Sequence, residues 1–374
     1  MKKRFSLFIL SVMVLLSGCG LRPAELSRRL IIEAIGVDRT DAGFSVTVQA
    51  LDSLAVGIDV GVPDSGVTKC YTFDGTTVEE AFRQVGQQTG LSPLYSQTRL
   101  LAVGYPTARD GLTDALAFFL REQTARADLL FAVAEHTAQE LVTASFGKNR
   151  VGADVLEGAI RSGEETGATL GTPLYAFLNL LYGETDAADC PLLGVRENPL
   201  SGDSLALPLG SVVFRGDRAA TVVPAEEVLF LRLLTGRMDR ASLTVPLAEG
   251  RCALRLTKAQ TTVTRTGDLS FRVGLRVRCD IAEVSGMAAE GLTPEAIRQI
   301  ARAASWRITR GAAGALDRCF YQNGCDVCRF FKRLRLLHPI RYRALPANLS
   351  PADVTCEVEC SVRVDRTGKE VLRQ

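Results

Sequence analysis

Residues 271–281 read FRVGLRVRCDI, and every second side chain is apolar: Phe271, Val273, Leu275, Val277, Cys279 and Ile281. Between them stand Arg272, Arg276, Arg278 and Asp280. Side chains alternate across a strand, so this stretch predicts a strand with one face on a core and a charged face in water. VTCEVECSVRV, residues 354–364, repeats the pattern with Val354, Cys356, Val358, Cys360, Val362 and Val364. CALRL places Cys252 with Leu254 and Leu256 in the same way. Cys252, Cys279, Cys356 and Cys360 thus face inward and act as small hydrophobes. Arg276, Arg278, Glu357 and Glu359 face outward, as candidate cross-strand partners. A helix is expected from Thr293, with Pro294 at its first position, to about Leu316. Its Ile297, Ile300, Ala301, Ala304 and Ile308 fall within one face about 100° wide, the expected core stripe.

The other end of the chain sets where it resides. Lys2, Lys3 and Arg4 precede an apolar stretch through Leu16, the form of an export signal too short to span a bilayer stably. Leu16-Ser17-Gly18-Cys19 follows and matches the bacterial lipobox. Small residues at 17 and 18 admit the chain to a peptidase; Cys19 receives diacylglycerol and becomes the new N-terminus. Each buried CH₂ contributes roughly 0.8 kcal/mol, so two acyl chains anchor durably. No later segment reaches the roughly 20 apolar residues of a membrane-spanning helix.

Residues 1–18 hold three of the 44 basic side chains and none of the 42 acidic ones, so the mature chain carries 41 against 42. That balance excludes the basic surplus of a nucleic-acid binder. The 356 residues that remain of 374 suffice for two or three domains. Ile31–Val37 and Phe44–Leu51 read as a hairpin around Asp41-Ala42-Gly43. Thr76 and Thr77 cap a helix that stops at Gly90. RLLAVG and DLLFAVAE are buried strands, GLTDALAFFLRE is a helix, and residues 152–183 are mainly helical. The stretch 190–210, with three prolines and three glycines, reads as a domain boundary. A hairpin, GSVVFRGDRAATVV, and a helix with Pro224 as its first residue come next. The expected class is α+β and multi-domain, with mixed sheets each packed by helices. A signal peptide (1–18) precedes an N-terminal α/β region (19–195) and a C-terminal α+β domain (205–374) with Arg-rich antiparallel strands and a long helix.

In this order the pieces resemble the Ger(x)C-type spore germination lipoproteins, the C subunits of nutrient germinant receptors. The residues that carry the resemblance are the lipobox, EAIGVDRTDAGFSVTVQ, GTTVEEAFRQVGQQTG with LYSQTRLLAVG, GLTDALAFFLRE, and GSVVFRGDRAATVVPAEE, followed by the Arg-rich strand and long helix. The chain departs from the family at Gly20-Leu21, where Trp-Asp is common, and at CDVCRFFKRLRLLHP, where a glycine-containing helix end is expected. The resemblance implies about three domains, no catalysis, and assembly with two integral-membrane subunits, A and B, at the inner membrane of a dormant spore.

The residues themselves supply no catalytic constellation. The histidines are His136 and His338, and no nucleophile elbow, P-loop or dinucleotide fingerprint is present. The carboxylate pairs Glu79-Glu80, Glu164-Glu165 and Glu226-Glu227 lie early in helices or beside turns, where they face water or the positive helix end. No cofactor is expected beyond the diacylglycerol on Cys19. With that cysteine committed to lipid, nine of ten remain, an odd number. Cys319, Cys325, Cys328 and His338 form the strongest chemical cluster, and three readings stay open: a zinc site, a disulfide, or free thiols. Trp306, the only tryptophan, projects opposite Ile297 between Arg302 and Arg310. Either another segment of the chain covers it, with an arginine stacked on the indole, or it anchors a partner subunit. The rival readings are a solute-binding lipoprotein, with two similar lobes around a crevice, and a structural envelope lipoprotein.

Overall fold

Two sheets organise the chain in a computed structural model that describes residues 28–51, 67–121, 128–183, 187–248, 250–286, 292–345 and 349–366. The signal segment and Cys19 lie outside the described residues. The first hairpin joins β1 (Arg29–Thr40) to β2 (Gly43–Leu51). Gly43 sits at φ 144, and a Cβ there would fall 2.3 Å from the Gly75 carbonyl oxygen, so the turn admits only glycine. β3 (Thr68–Gly75) leads into α1 (Val78–Thr89), where the Thr77 hydroxyl accepts the Glu80 N–H at 3.1 Å. Gly90 closes that helix in the left-handed conformation.

β4 (Ser92–Leu94), β5 (Leu100–Gly104), α2 (Tyr105–Asp110), α3 (Thr113–Arg121) and β6 (Leu130–Ala134) follow. Then come α4 (Ala138–Thr143), α5 (Gly152–Thr166), the short β7 (Thr172–Pro173) and α6 (Leu174–Leu181). β8 (Ala187–Glu197), β9 (Ser204–Arg215) and β10 (Arg218–Pro224) complete a sheet of order β10-β9-β8-β6-β5-β1-β2-β3. Its centre, β8-β6-β5-β1, is parallel; both flanks are antiparallel.

The unbroken apolar runs follow from burial on two faces. Leu101, Val103, Phe131 and Val133 pack with residues of α1, α3 and α6, whereas Leu100, Ala102, Leu130 and Ala132 pack with residues of α4 and α5. Two polar pins fix the layers. Asp38 at the end of β1 accepts the Ala138 and Gln139 N–H groups at 2.8 and 2.9 Å, capping α4 from another element. Arg99 reaches the buried Glu33 at 3.0 Å, Asp154 at 2.8 Å and Glu157 at 3.5 Å, tying β1 to α5.

The stretch 190–210, where a boundary was expected, is itself paired backbone. It forms most of the β8–β9 hairpin, so the first sheet continues through it to Pro224. Its prolines and glycines mark a bulge at Leu192/Leu193, opposite Pro208 and Gly210, and the turn at 198–203. Beyond β10 comes α7 (Ala225–Thr235), with Pro224 as its cap one residue before the helix proper. Residues Val228 to Leu234 are all buried, which marks a helix enclosed on every side. Its Arg232 is buried too and donates to the Glu164 carbonyl at the end of α5, at 2.6 Å.

The second sheet runs β11 (Ala241–Pro246), β12 (Arg251–Arg265), β13 (Ser270–Ser285) and β14 (Thr355–Arg366). α8 (Pro294–Leu316) crosses between the last two, followed by α9 (Phe330–Leu337) and α10 (Pro339–Arg343). Because α8 returns the chain to the start of β13, β14 pairs with β13 in parallel, while β11, β12 and β13 are antiparallel. The Arg-rich β13 is thus antiparallel to β12, and the sheet as a whole is mixed, as expected. Cys252 and Cys279 are fully buried, but Cys356 and Cys360 are half-buried because β14 is the edge strand. Glu357 and Glu359 face outward and both pair with Arg272, at 3.0 and 3.3 Å, rather than with Arg276 or Arg278; Arg278 pairs with Asp365.

Replacing Arg99 by Met leaves the Glu33 carboxylate buried without its guanidinium. A loss of about 2 kcal/mol is expected, less than for a fully buried pair because Arg99 is partly exposed. Denaturant unfolding checks it, and an unchanged midpoint contradicts the pin.

Candidate interaction site

α8 begins where Thr293 accepts the Ala296 N–H at 3.2 Å, with Pro294 in the first turn. Its buried stripe is Ala296, Ile300, Ala304, Ile308, Ala312, Ala315 and Leu316. The expected stripe thus rotates slightly: Ile300, Ala304 and Ile308 are enclosed, whereas Ile297 and Ala301 are half-buried at its margin. Small residues let the helix lie close. Gly311 passes so near α7 that a Cβ would come within 2.4 Å of the Phe230 ring. Ser305 accepts the Val362 N–H of β14 at 3.1 Å, satisfying a backbone donor of the edge strand. The helix is therefore fixed in rotation.

That fixing decides what faces outward. Trp306 is 61% exposed, and the Arg310 guanidinium carbon lies 5.3 Å from the ring centroid. The arginine stack of the intramolecular reading is present, yet most of the indole stays open. Arg302, Arg307 and Arg310 are exposed around it, while Arg298 is neutralised by Glu295 at 2.5 Å. A rigid aromatic among cations, on a fixed helix, suits recognition of an acidic or aromatic partner surface.

The cysteine set assembles differently. Cys319, Cys325 and Cys328 are buried free thiols within the core that holds Phe320 and Phe330. Burial pushes Cys319 up to about 12 and Cys325 up to about 11, and raises Cys328 well above the usual thiol range. His338 stands at the far end of α9, about 12 Å along that helix from its start. Among the described residues no group of three or more His, Cys, Asp or Glu is arranged to hold a metal ion. The CDVC turn instead serves α9: the Asp326 carboxylate accepts the Phe330 and Phe331 N–H groups, both at 2.9 Å.

One cleft was not indicated by the sequence. Arg39, Gly43 and Phe44 from the first hairpin meet Thr76, Thr77 and Glu79 of the α1 start across from Asp114 and Phe118 of α3, around a space of about 670 Å³. Arg39 lies 3.8 Å from Asp114 and over the Phe44 ring at 4.9 Å. Its residues are scattered over 80 positions in sequence with no shared spacing, so no motif could reveal it.

Residues 23–194 match the family described as spore germination protein N-terminal domain, and residues 209–368 match the family described as spore germination B3/GerAC-like, C-terminal. The crystal structure of the GerBC protein is similar at a TM-score of 0.57 and 12% identity, covering 88% of this chain and 96% of that one. That likeness concerns the fold. No curated protein matches the chain.

Trp306 is the only tryptophan, so its fluorescence reads this site alone. The isolated protein is expected to emit at long wavelength and to be quenched readily by iodide. Blue-shifted, protected emission contradicts an open indole.

Proposed function

The chain belongs to the GerAC-like family of spore germination proteins, and from that premise we propose that it is a lipid-anchored, non-enzymatic subunit of a nutrient-germinant receptor. In this reading Cys19 carries diacylglycerol and holds the protein on the outer face of the spore inner membrane. The subunit acts there through contacts with the integral-membrane A and B subunits. The observation that carries the contact reading is the exposed Trp306, set among Arg302, Arg307 and Arg310 on a helix locked from beneath. Lipid anchoring is supported by the Leu16-Ser17-Gly18-Cys19 sequence, and no described helix is long and apolar enough to cross a membrane.

A non-catalytic role is supported by what the polar groups do. Asp38, Glu33, Arg99 and Asp326 cap helices or join layers rather than converge on a cleft. The rival solute-binding reading requires two similar lobes, whereas among the described residues one sheet has ten strands and the other four.

Cys19→Ala tests the anchor. The variant is expected to incorporate no labelled fatty acid, to keep its signal segment and to abolish the nutrient response of spores that rely on it. Labelled fatty acid on the variant, or a full response without lipid, contradicts the reading.

A further inference from the structure

The apolar stripe of α9 outruns the core beneath it. Phe330 stacks on Phe271 at 4.7 Å and is fully buried, and Leu334, one turn on, is buried too. The stripe then continues to Leu337, which is 68% exposed, beside Leu336 at 62% and Ile340 of α10 at 83%. Three large aliphatic side chains within five residues thus face water at one corner of the fold.

Charge around this corner is one-sided. From Val327 to Ala352 the sequence has six Lys and Arg and no Asp or Glu, in a chain whose 44 basic and 42 acidic side chains nearly balance. Arg329, Arg333 and Arg343 are exposed, and Lys332 is half-buried. Lys332 and Arg329 also line a groove of about 410 Å³ with Arg237 and the exposed Tyr175 of α6. A second copy of the chain is a poor occupant, because a symmetric contact would bring these cations against one another. An apolar tip ringed by Lys and Arg, with a tyrosine beside it, has the chemistry of an interfacial segment on an anionic bilayer.

We propose that the α9–α10 corner is a second membrane contact, in which Leu336, Leu337 and Ile340 enter the headgroup boundary of an anionic leaflet while the surrounding cations meet its phosphates. The inference rests on the reading that the protein lies at a membrane.

The test uses the chain from residue 19 onward, made without lipid, which retains every described residue. It is sedimented with vesicles of phosphatidylglycerol and phosphatidylcholine, or of phosphatidylcholine alone. Binding is expected to the anionic vesicles only and to weaken as salt is raised. Lys332→Gln and Arg333→Gln are each expected to weaken it about fivefold. The triple change Leu336→Ser, Leu337→Ser, Ile340→Ser is expected to weaken it at least about tenfold, with the melting temperature unchanged because these side chains are exposed. Failure to bind anionic vesicles, equal binding to neutral ones, or undiminished binding of the triple variant overturns the proposal. Since no lipid is attached in this assay, each such result leaves the role of Cys19 standing, and failure of lipidation leaves this contact standing.

Discussion

A sheet with arginines on one face has only one face left to bury. In this chain a single 23-residue helix, together with α7, must close it. The rest of the C-terminal half depends on that contact. Gly311 admits the Phe230 ring, Ser305 satisfies the edge of β14, and the alanine-rich stripe lies flat on the strands. With one face of α8 fully committed, the opposite face is held outward with little rotational freedom. Rigidity of this kind lowers the entropy lost when a partner binds, which is where a solitary tryptophan contributes most.

The same economy links the two sheets. α7 is enclosed by strands of both and buries even an arginine, whose guanidinium meets the carbonyl end of α5. The central parallel strands of the first sheet are covered on both sides, and the covering helices are pinned by Asp38 and Arg99. Both residues lie in the stretches that carry the family resemblance. In those stretches, EAIGVDRT and SQTRLLAVG, Glu33, Asp38 and Arg99 serve the architecture.

Periodicity made much of this legible. The alternating pattern at 271–281, the runs at 100–104 and 130–134, and the cap at Thr293 each reflect a local rule that tertiary context does not override. The strands within 190–210 were illegible because Pro191 and Pro208 normally argue against central strands. Here they lie at a bulged hairpin, where a missing N–H is tolerated. Half-burial of Cys356 and Cys360 was illegible for another reason: alternation reports which face a residue is on, and edge position reports how well that face is covered. Likewise the spacing of Cys319, Cys325, Cys328 and His338 could not reveal that an entire helix separates the last from the others. Trp306 was readable as an outward residue from helical geometry alone, but its openness depended on what lay above it.

One exposed helix face carries the proposed contact, and a membrane is its proposed setting. Site-specific photocrosslinking from position 306 in spore membranes tests it most directly, with the β8–β9 turn residue Leu200, 96% exposed, as the control position. The account predicts an adduct with an integral-membrane protein from position 306 and none from position 200. Equal crosslinking from the two positions, or none from 306 while the protein still co-purifies with integral-membrane proteins, would contradict it.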